Sequence, residues 1–273
     1  PDSVTTISDY VFSECLSLKA IHIPKNLTII GERVFEYCES LERITADEDC
    51  VCFSSDENGV LFNKDKTELV FYPPANSLTS YTIPDGVTTI NDYAFLLCIN
   101  LINISLPDTL STIERCAFAM CTSLAELKIP YSVTLIGDCN FEGCSSMKSI
   151  TFPGGVSFVD NFTFYDCTSL ELIHFLGTEE EYNNLAASAA ENNEPFLEAT
   201  KHFCEERAAV PSTCENGIEE GWYCPVCDEY IEGGNIITGG HYGGNPTCIT
   251  PSTCEVCNEE YYKKAFFYSK GDL

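Results

Sequence analysis

Apolar positions recur along this chain with a beat of 23 residues. Laid in register, units starting at Pro1, Pro24, Pro84, Pro107, Pro130 and Pro153 read Pro-x-x-Val-x-x-Ile-x-x-x-Ala-Phe-x-x-Cys-x-x-Leu-x-x-Ile-x-Ile. One column holds Val4, Leu27, Val87, Leu110, Val133 and Val156; a second holds Phe12, Phe35, Phe95, Phe118, Phe141 and Phe164; a third holds Cys15, Cys38, Cys98, Cys121, Cys144 and Cys167. The Leu-x-x-Ile-x-Ile end alternates with period two and predicts a strand. The Val-Thr-x-Ile stretch predicts a second, shorter ladder, and Ala-Phe-x-x-Cys a turn or a single helical turn. A period of about 20–50 residues marks a solenoid, in which each unit covers its neighbour's apolar face.

The stretch 47–83 breaks the period. Leu78, Tyr81 and Ile83 still fill the strand columns before Pro84, so a seventh strand follows an insertion at 47–77. Within it, "NGVLFNKDKTELVFYP" reads as a hairpin, two alternating apolar runs around a polar turn. After Phe175, Thr178 and Glu181 form a capping box before an alanine-rich helix, and "LEATKHF" predicts one more strand. The span 178–203 is expected to cap a solenoid covering 1–203.

The repeat resembles the BspA-like, or Treponema-type, leucine-rich repeat, carried by "IPDGVTTINDYAFLLCINLINISLP" and "IPYSVTLIGDCNFEGCSSMKSITFP". The resemblance implies a leucine-rich repeat superhelix, right-handed, α/β or mainly β, with a parallel sheet along one side. Departures are mild: Asn140 and Thr163 stand in the Ala column, Met147 in a Leu slot and Val159 in an Ile slot. The resemblance also implies a bacterial surface or secreted location and an adhesive role. The chain begins at Pro1 in the first slot of a unit and without an initiator Met, which points to a chain trimmed of its leader.

Charge bears on partners. A net charge of −28 repels nucleic acid phosphates and anionic lipid, and its plain meaning is solubility. No run of 18 apolar residues is present to span a membrane. The acid is uneven, because 179–273 holds eighteen acids against five bases whereas the outward strand slots are close to neutral. Those slots carry Lys19, His22, Arg43, Thr45, Ile102, Asn103, Glu126, Lys128, Lys148, Thr151, Leu172 and His174. They make a mixed face of the kind a protein or glycan partner needs, although any solenoid presents such a face by geometry. Oligomeric state is not legible.

Of seventeen cysteines, Cys50 and Cys52 lie in the insertion, where a Cys-x-Cys spacing alone says little, and the others fall into three groups. The six column residues read as small buried hydrophobes whose thiols donate weakly to loop carbonyls. Cys116 and Cys139 occupy one extra slot in adjacent units, a spacing open to a disulfide or to two thiols. From residue 204 to 273 the repeat is gone and two Cys/His-rich stretches follow, about 204–233 and 241–262. Each has a Cys-x-x-Cys, which places two thiolates on one tetrahedral metal. Set one is Cys214, Cys224 and Cys227 with either Cys204 or His202; set two is His241, Cys248, Cys254 and Cys257. These stretches resemble the zinc-ribbon-like tandem modules at the ends of surface proteins from anaerobic gut bacteria. Two structural zinc sites, disulfides in an oxidising compartment, and unliganded thiols remain the alternatives.

No catalytic constellation accompanies them. The chain lacks a Gly-x-Ser-x-Gly elbow, a phosphate loop and a His-Glu-x-x-His, and "GGNIITGGHYGGN" follows no strand pattern. The expected function is a non-enzymatic surface or secreted binding module that uses the exposed sheet to hold a host or partner protein or glycan. The alternative is a spacer that displays other parts of the cell envelope; an enzyme is the third reading.

Overall fold

The computed structural model describes residues 1–189, 192–208, 217–218, 221–233, 236–237, 252–253 and 260–261. The chain divides into two compact units, Pro1–Cys204 and Glu205–Leu273.

The first unit is a β-solenoid. Its face strands are β2 (Ala20–Ile23), β4 (Arg43–Ala46), β8 (Ser80–Thr82), β10 (Asn103–Ser105), β12 (Glu126–Lys128), β14 (Ser149–Pro153), β15 (Leu172–Leu176) and β16 (Thr200–Arg207). All but β16, which comes from "LEATKHF", come from the Leu-x-x-Ile-x-Ile segments, and they pair in parallel, β2 with β4, β8 with β10, and β12 through β14 and β15 to β16. The second ladder is made by the predicted short strands β1 (Thr6–Ile7), β3 (Ile29–Ile30), β9 (Thr89–Ile90), β11 (Thr112–Ile113) and β13 (Leu135–Ile136). Stacked equivalent residues therefore lie side by side, as in Ile90, Ile113 and Ile136.

The insertion enters the second ladder. Its strands β5 (Phe53–Ser55), β6 (Leu61–Asn63) and β7 (Glu68–Phe71) run antiparallel to one another, and β7 then pairs in parallel with β9. The predicted hairpin is β6–β7. Strand β5 was not legible, because Phe53-Ser-Ser is too short to show a period.

Inside, the phenylalanine column becomes a ring stack. Phe95, Phe118 and Phe141 follow one another at centroid spacings of 5.1 and 5.9 Å, offset stacking that adds to the burial of each ring. The core divides at the insertion, with Phe12 and Phe35 in one cluster and Phe95 to Phe164 in the other. Two adjacent residues join them: Phe71 packs on Phe35 at 5.3 Å, and Tyr72 on Phe95 at 5.1 Å. Tyr72 stands 23 residues before Phe95 and takes the phenylalanine's place in the insertion's turn.

The cysteine column ties each turn to the one before. The thiols of Cys38, Cys121, Cys144 and Cys167 donate to the carbonyls of Phe12, Phe95, Phe118 and Phe141 at 3.0–3.2 Å. Burial raises their pKa values, Cys38 to about 11 and Cys167 to about 12.

Turn backbones form a further ladder. The N–H groups of Tyr10, Phe12 and Glu14 donate to the carbonyls of Glu32, Val34 and Glu36, and those of Tyr93, Phe95 and Leu97 to Arg115, Ala117 and Ala119. At the far end the capping helix α1 (Glu179–Ser188) starts at the Thr178/Glu181 box as predicted. A five-residue helix that the sequence did not announce, α2 (Glu194–Glu198), places Phe196 on Phe164 at 4.8 Å. Asn193 accepts from the Phe164 N–H at 2.9 Å.

In the second unit, residues Glu205–Arg207 of β16 pair antiparallel with β18 (Gly221–Cys224), which pairs with β19 (Glu229–Gly233). The remaining strands pair β17 (Gly217–Ile218) with β20 (Ile236–Ile237), and β21 (Ser252–Thr253) with β22 (Glu260–Tyr261).

Candidate functional site

The outward strand slots lie in register along the face, but they are not equally available. At the amino-terminal end Lys19 pairs with Glu42 at 3.4 Å, and His22 Nδ1 meets Thr45 Oγ1 at 3.1 Å. The neighbouring β4 is also approached by the insertion, where Ile44 N–H donates to the Gly59 carbonyl at 2.9 Å beside Arg43. Gly59 has φ +79° and a Cβ there would lie 2.7 Å from the Arg43 Cβ, so only glycine fits this approach.

Further along, Ile102, Asn103, Glu126, Lys128 and Lys148 are exposed, and Leu172 and His174 half-buried. A hollow of about 350 Å³ opens on β10 and β12, lined by Asn103, Ile104, Ser105, Leu106, Glu126 and Lys128. Thr151 corrects the reading of the face. It is 4% exposed, because its short side chain stands in register between the longer Lys128 and His174.

Two histidines that looked remote in sequence are neighbours. His174 and His202 face each other across β15 and β16, with ring centroids 5.4 Å apart. Aligning Phe175 with Phe203 would have found the pair, although the spacing there is 28 residues instead of 23. In the same unit Cys204 is buried, and its thiol donates to the His202 carbonyl at 3.7 Å.

In the second unit the Cys-x-x-Cys of residues 224–227 forms a tight turn. Cys227 N–H donates to Cys224 Sγ at 3.4 Å, and the two sulfurs lie within 4.8 Å of each other. Burial and the neighbouring Cys224 thiol push Cys227 up to about 11, so Cys227 favours its neutral form until a cation draws the proton off. Cys214, His241, Cys248, Cys254 and Cys257 lie outside the described residues.

Cys116 and Cys139 are unbridged free thiols. Side chains in equivalent slots of stacked turns leave the backbone in parallel directions, so their Cβ atoms keep roughly the 4.8 Å strand spacing. A disulfide wants about 3.8 Å. Burial, then the Cys139 thiol, pushes Cys116 up to about 12.

Among the described residues no helix is long and apolar enough to cross a membrane.

Comparison with known proteins bears on the first unit. A family model described as "BspA type Leucine rich repeat region" matches six copies over residues 1–57 and 67–192. A leucine-rich repeat protein from Eubacterium ventriosum is similar at 30% identity and TM-score 0.55, covering 63% of this chain and 52% of that one. A leucine rich cell surface protein from Faecalibacterium prausnitzii is similar at 29% identity and TM-score 0.52, covering 70% and 56%. The pneumococcal vaccine antigen PcpA is similar at 26% identity and TM-score 0.53, covering 70% and 58%. The chain thus spans a little over half the length of each. Among curated proteins none matches.

Proposed function

The chain belongs to the BspA type leucine-rich repeat family, and we propose that it is a non-enzymatic surface or secreted binding module whose strand face holds a partner protein or glycan. The observation that carries this reading is the hollow on β10 and β12. It sits where the face is exposed and of mixed charge, with Glu126 and Lys128 on one strand and Asn103 and Ser105 on the next. Short polar groups beside Ile102 and Ile104 offer both hydrogen bonds and apolar contact, the mixture found at non-obligate interfaces. Two of the similar structures are a leucine rich cell surface protein and a pneumococcal vaccine antigen, which supports the location.

The experiment is binding of the full chain to panels of immobilised glycans and extracellular matrix proteins, repeated with Lys128→Glu and Lys148→Glu combined. A bound partner lost by tenfold or more in the double variant supports the face. A partner held equally by both overturns it, and binding to nothing on either panel favours the spacer reading. That second reading draws on the amino-terminal part of the face, where Lys19–Glu42 and His22–Thr45 satisfy one another.

For the tail we propose structural zinc. The Cys224/Cys227 turn supplies two thiolates on one side of a tetrahedral ion, and small modules poor in apolar residues need such a staple. Elemental analysis of protein purified without added metal should find zinc. Its absence, with every Cys-x-x-Cys oxidised in mass spectra, would replace zinc by disulfides.

A further inference from the structure

The turn at Glu68–Tyr72 is too short for its place. In an ordinary unit four residues separate the last isoleucine of the second ladder from the column phenylalanine, as Asn91, Asp92, Tyr93 and Ala94 separate Ile90 from Phe95. Leu69 pairs with Ile90 and Tyr72 N–H donates to the Ala94 carbonyl, so these two residues hold the equivalent places. Only Val70 and Phe71 stand between them. The turn has lost two residues and with them one rung of backbone.

The gap is visible on both sides. Every regular junction has three turn N–H groups bound to the next turn, but among the described residues those of Arg33, Phe35 and Tyr37 reach no acceptor. Opposite them the Asp92 carbonyl, whose equivalents Glu32, Arg115 and Asp138 each accept an N–H, receives none from the described residues. Between these walls lies a cleft of about 640 Å³, bounded by 30–36 on one side and by 89–93 on the other, with Val70 and Phe71 on its floor. That volume falls within the range of about 300–1,000 Å³ typical of ligand sites.

Charge selects the occupant. Asp9, Glu32, Glu36, Glu68, Asp92 and Glu114 line the cleft against the single cation Arg33. Arg33 is already engaged, 3.5 Å from Glu36 and 4.7 Å from the Tyr93 ring centroid. Asp92 pairs with Arg115 at 3.5 Å. Glu32, Glu68 and Glu114 have no ion pair in the described residues.

We propose that this cleft binds an extended, lysine- or arginine-bearing peptide segment that takes the place of the missing rung. Its carbonyls accept from the Arg33, Phe35 and Tyr37 N–H groups, an N–H of its own reaches the Asp92 carbonyl, and its basic side chains meet Glu32, Glu68 and Glu114. This is strand addition applied to a solenoid turn, with main-chain bonds supplying affinity and the acids supplying choice. The site is separate from the strand face, so Lys128→Glu leaves it unchanged.

The test uses the full chain at 0.15 M salt, where attraction to the acidic surface at large is screened within about 8 Å. The probe is a blocked hexapeptide alternating lysine and serine, with counterparts carrying acetyl-lysine or glutamate. The lysine peptide should bind and slow hydrogen exchange at Arg33, Phe35 and Tyr37. Combined Glu68→Gln and Glu114→Gln should weaken it by about three- to tenfold, from ordinary values for partly exposed ion pairs. A Gly-Ser insertion after Leu69, which restores the missing rung, should abolish it. Equal binding of the acetylated peptide, unchanged exchange at those three amides, or no binding at all would overturn the proposal. If the insertion variant does not fold, the exchange pattern and the double Gln variant decide.

Discussion

At Phe164 and at Phe35 the same turn N–H meets the end of its ladder, and the two ends are finished differently. At Phe164 the chain returns through α2, so that Asn193 accepts the N–H and Phe196 covers the ring at 4.8 Å. At Phe35 the ring is covered by Phe71 at 5.3 Å, but the N–H is left facing a cleft. Sealing the apolar layer and sealing the polar ladder are thus separate tasks. The first is done at both ends, because exposed aromatic area is costly everywhere. The second is done where the stack terminates; at the insertion the turn N–H groups are left beside a cleft.

Amide hydrogen exchange should separate the two ends by the widest margin. Phe95, Phe118 and Phe141 N–H groups sit in the continuous ladder and should exchange only through opening of the unit, while Phe35 exchanges at least about a thousandfold faster through local access. Equal protection would erase the distinction. Next in size is the ring stack: Phe118→Ala should cost about 3–5 kcal/mol in urea unfolding. Phe35→Ala, whose neighbouring cleft lets water fill the space, should cost less. If the two losses are equal, the open end is as rigid as the middle.

The sealed end supplies a smaller effect. Asn193→Leu removes the acceptor for the buried Phe164 N–H and should cost about 1–3 kcal/mol, whereas among the described residues no side chain accepts the Phe35 N–H. Alkali probes the column between the ends. Burial holds the Cys38 and Cys167 thiols protonated to about 11 and about 12, against an ordinary value of 9.0. The unfolded chain therefore releases these protons first, so stability is full below about pH 9 and declines between 9 and 12. A urea midpoint that stays level across that window would show that the thiols are not held neutral. Smallest of all, Thr178→Ala breaks the capping box and should cost about 1 kcal/mol, measured as a shift in the same midpoint.

Much of the regular architecture was legible because its signal is repeated. Six copies of one sentence average out local departures, and the two ladders and the thiol-to-carbonyl bonds follow from columns alone, while the α1 cap follows from the Thr178/Glu181 box. What the columns could not give is whatever happens once. Tyr72 stands on the 23-residue register, but Ala75 fills the cysteine slot, and the two missing residues shift everything before Tyr72 out of phase. Thr151 looked outward by alternation, yet exposure depends on the size of its neighbours in the next turns, which no single strand reports. His174 and His202 meet through the irregular last spacing, where a helical excursion of variable length replaces the fixed period. The mixed-charge face was visible as a set of slots, and the hollow within it was not, since depth arises from the unequal sizes of side chains on two different strands.

The thiol bonds of the cysteine column have a consequence for how long such a rod can be. Each runs 26 residues back, from Cys121 to Phe95, Cys144 to Phe118 and Cys167 to Phe141. Because the offset never changes, a turn cannot tell which neighbour it sits on. Excising one whole copy, such as 107–129, would join Pro130 to Leu106, just past β10, with every partner of the right kind, and duplicating one would do the same. Length is then free to drift by unequal recombination in steps of one copy, while the two irregular turns, which have no equivalents, cannot be copied without changing what they do.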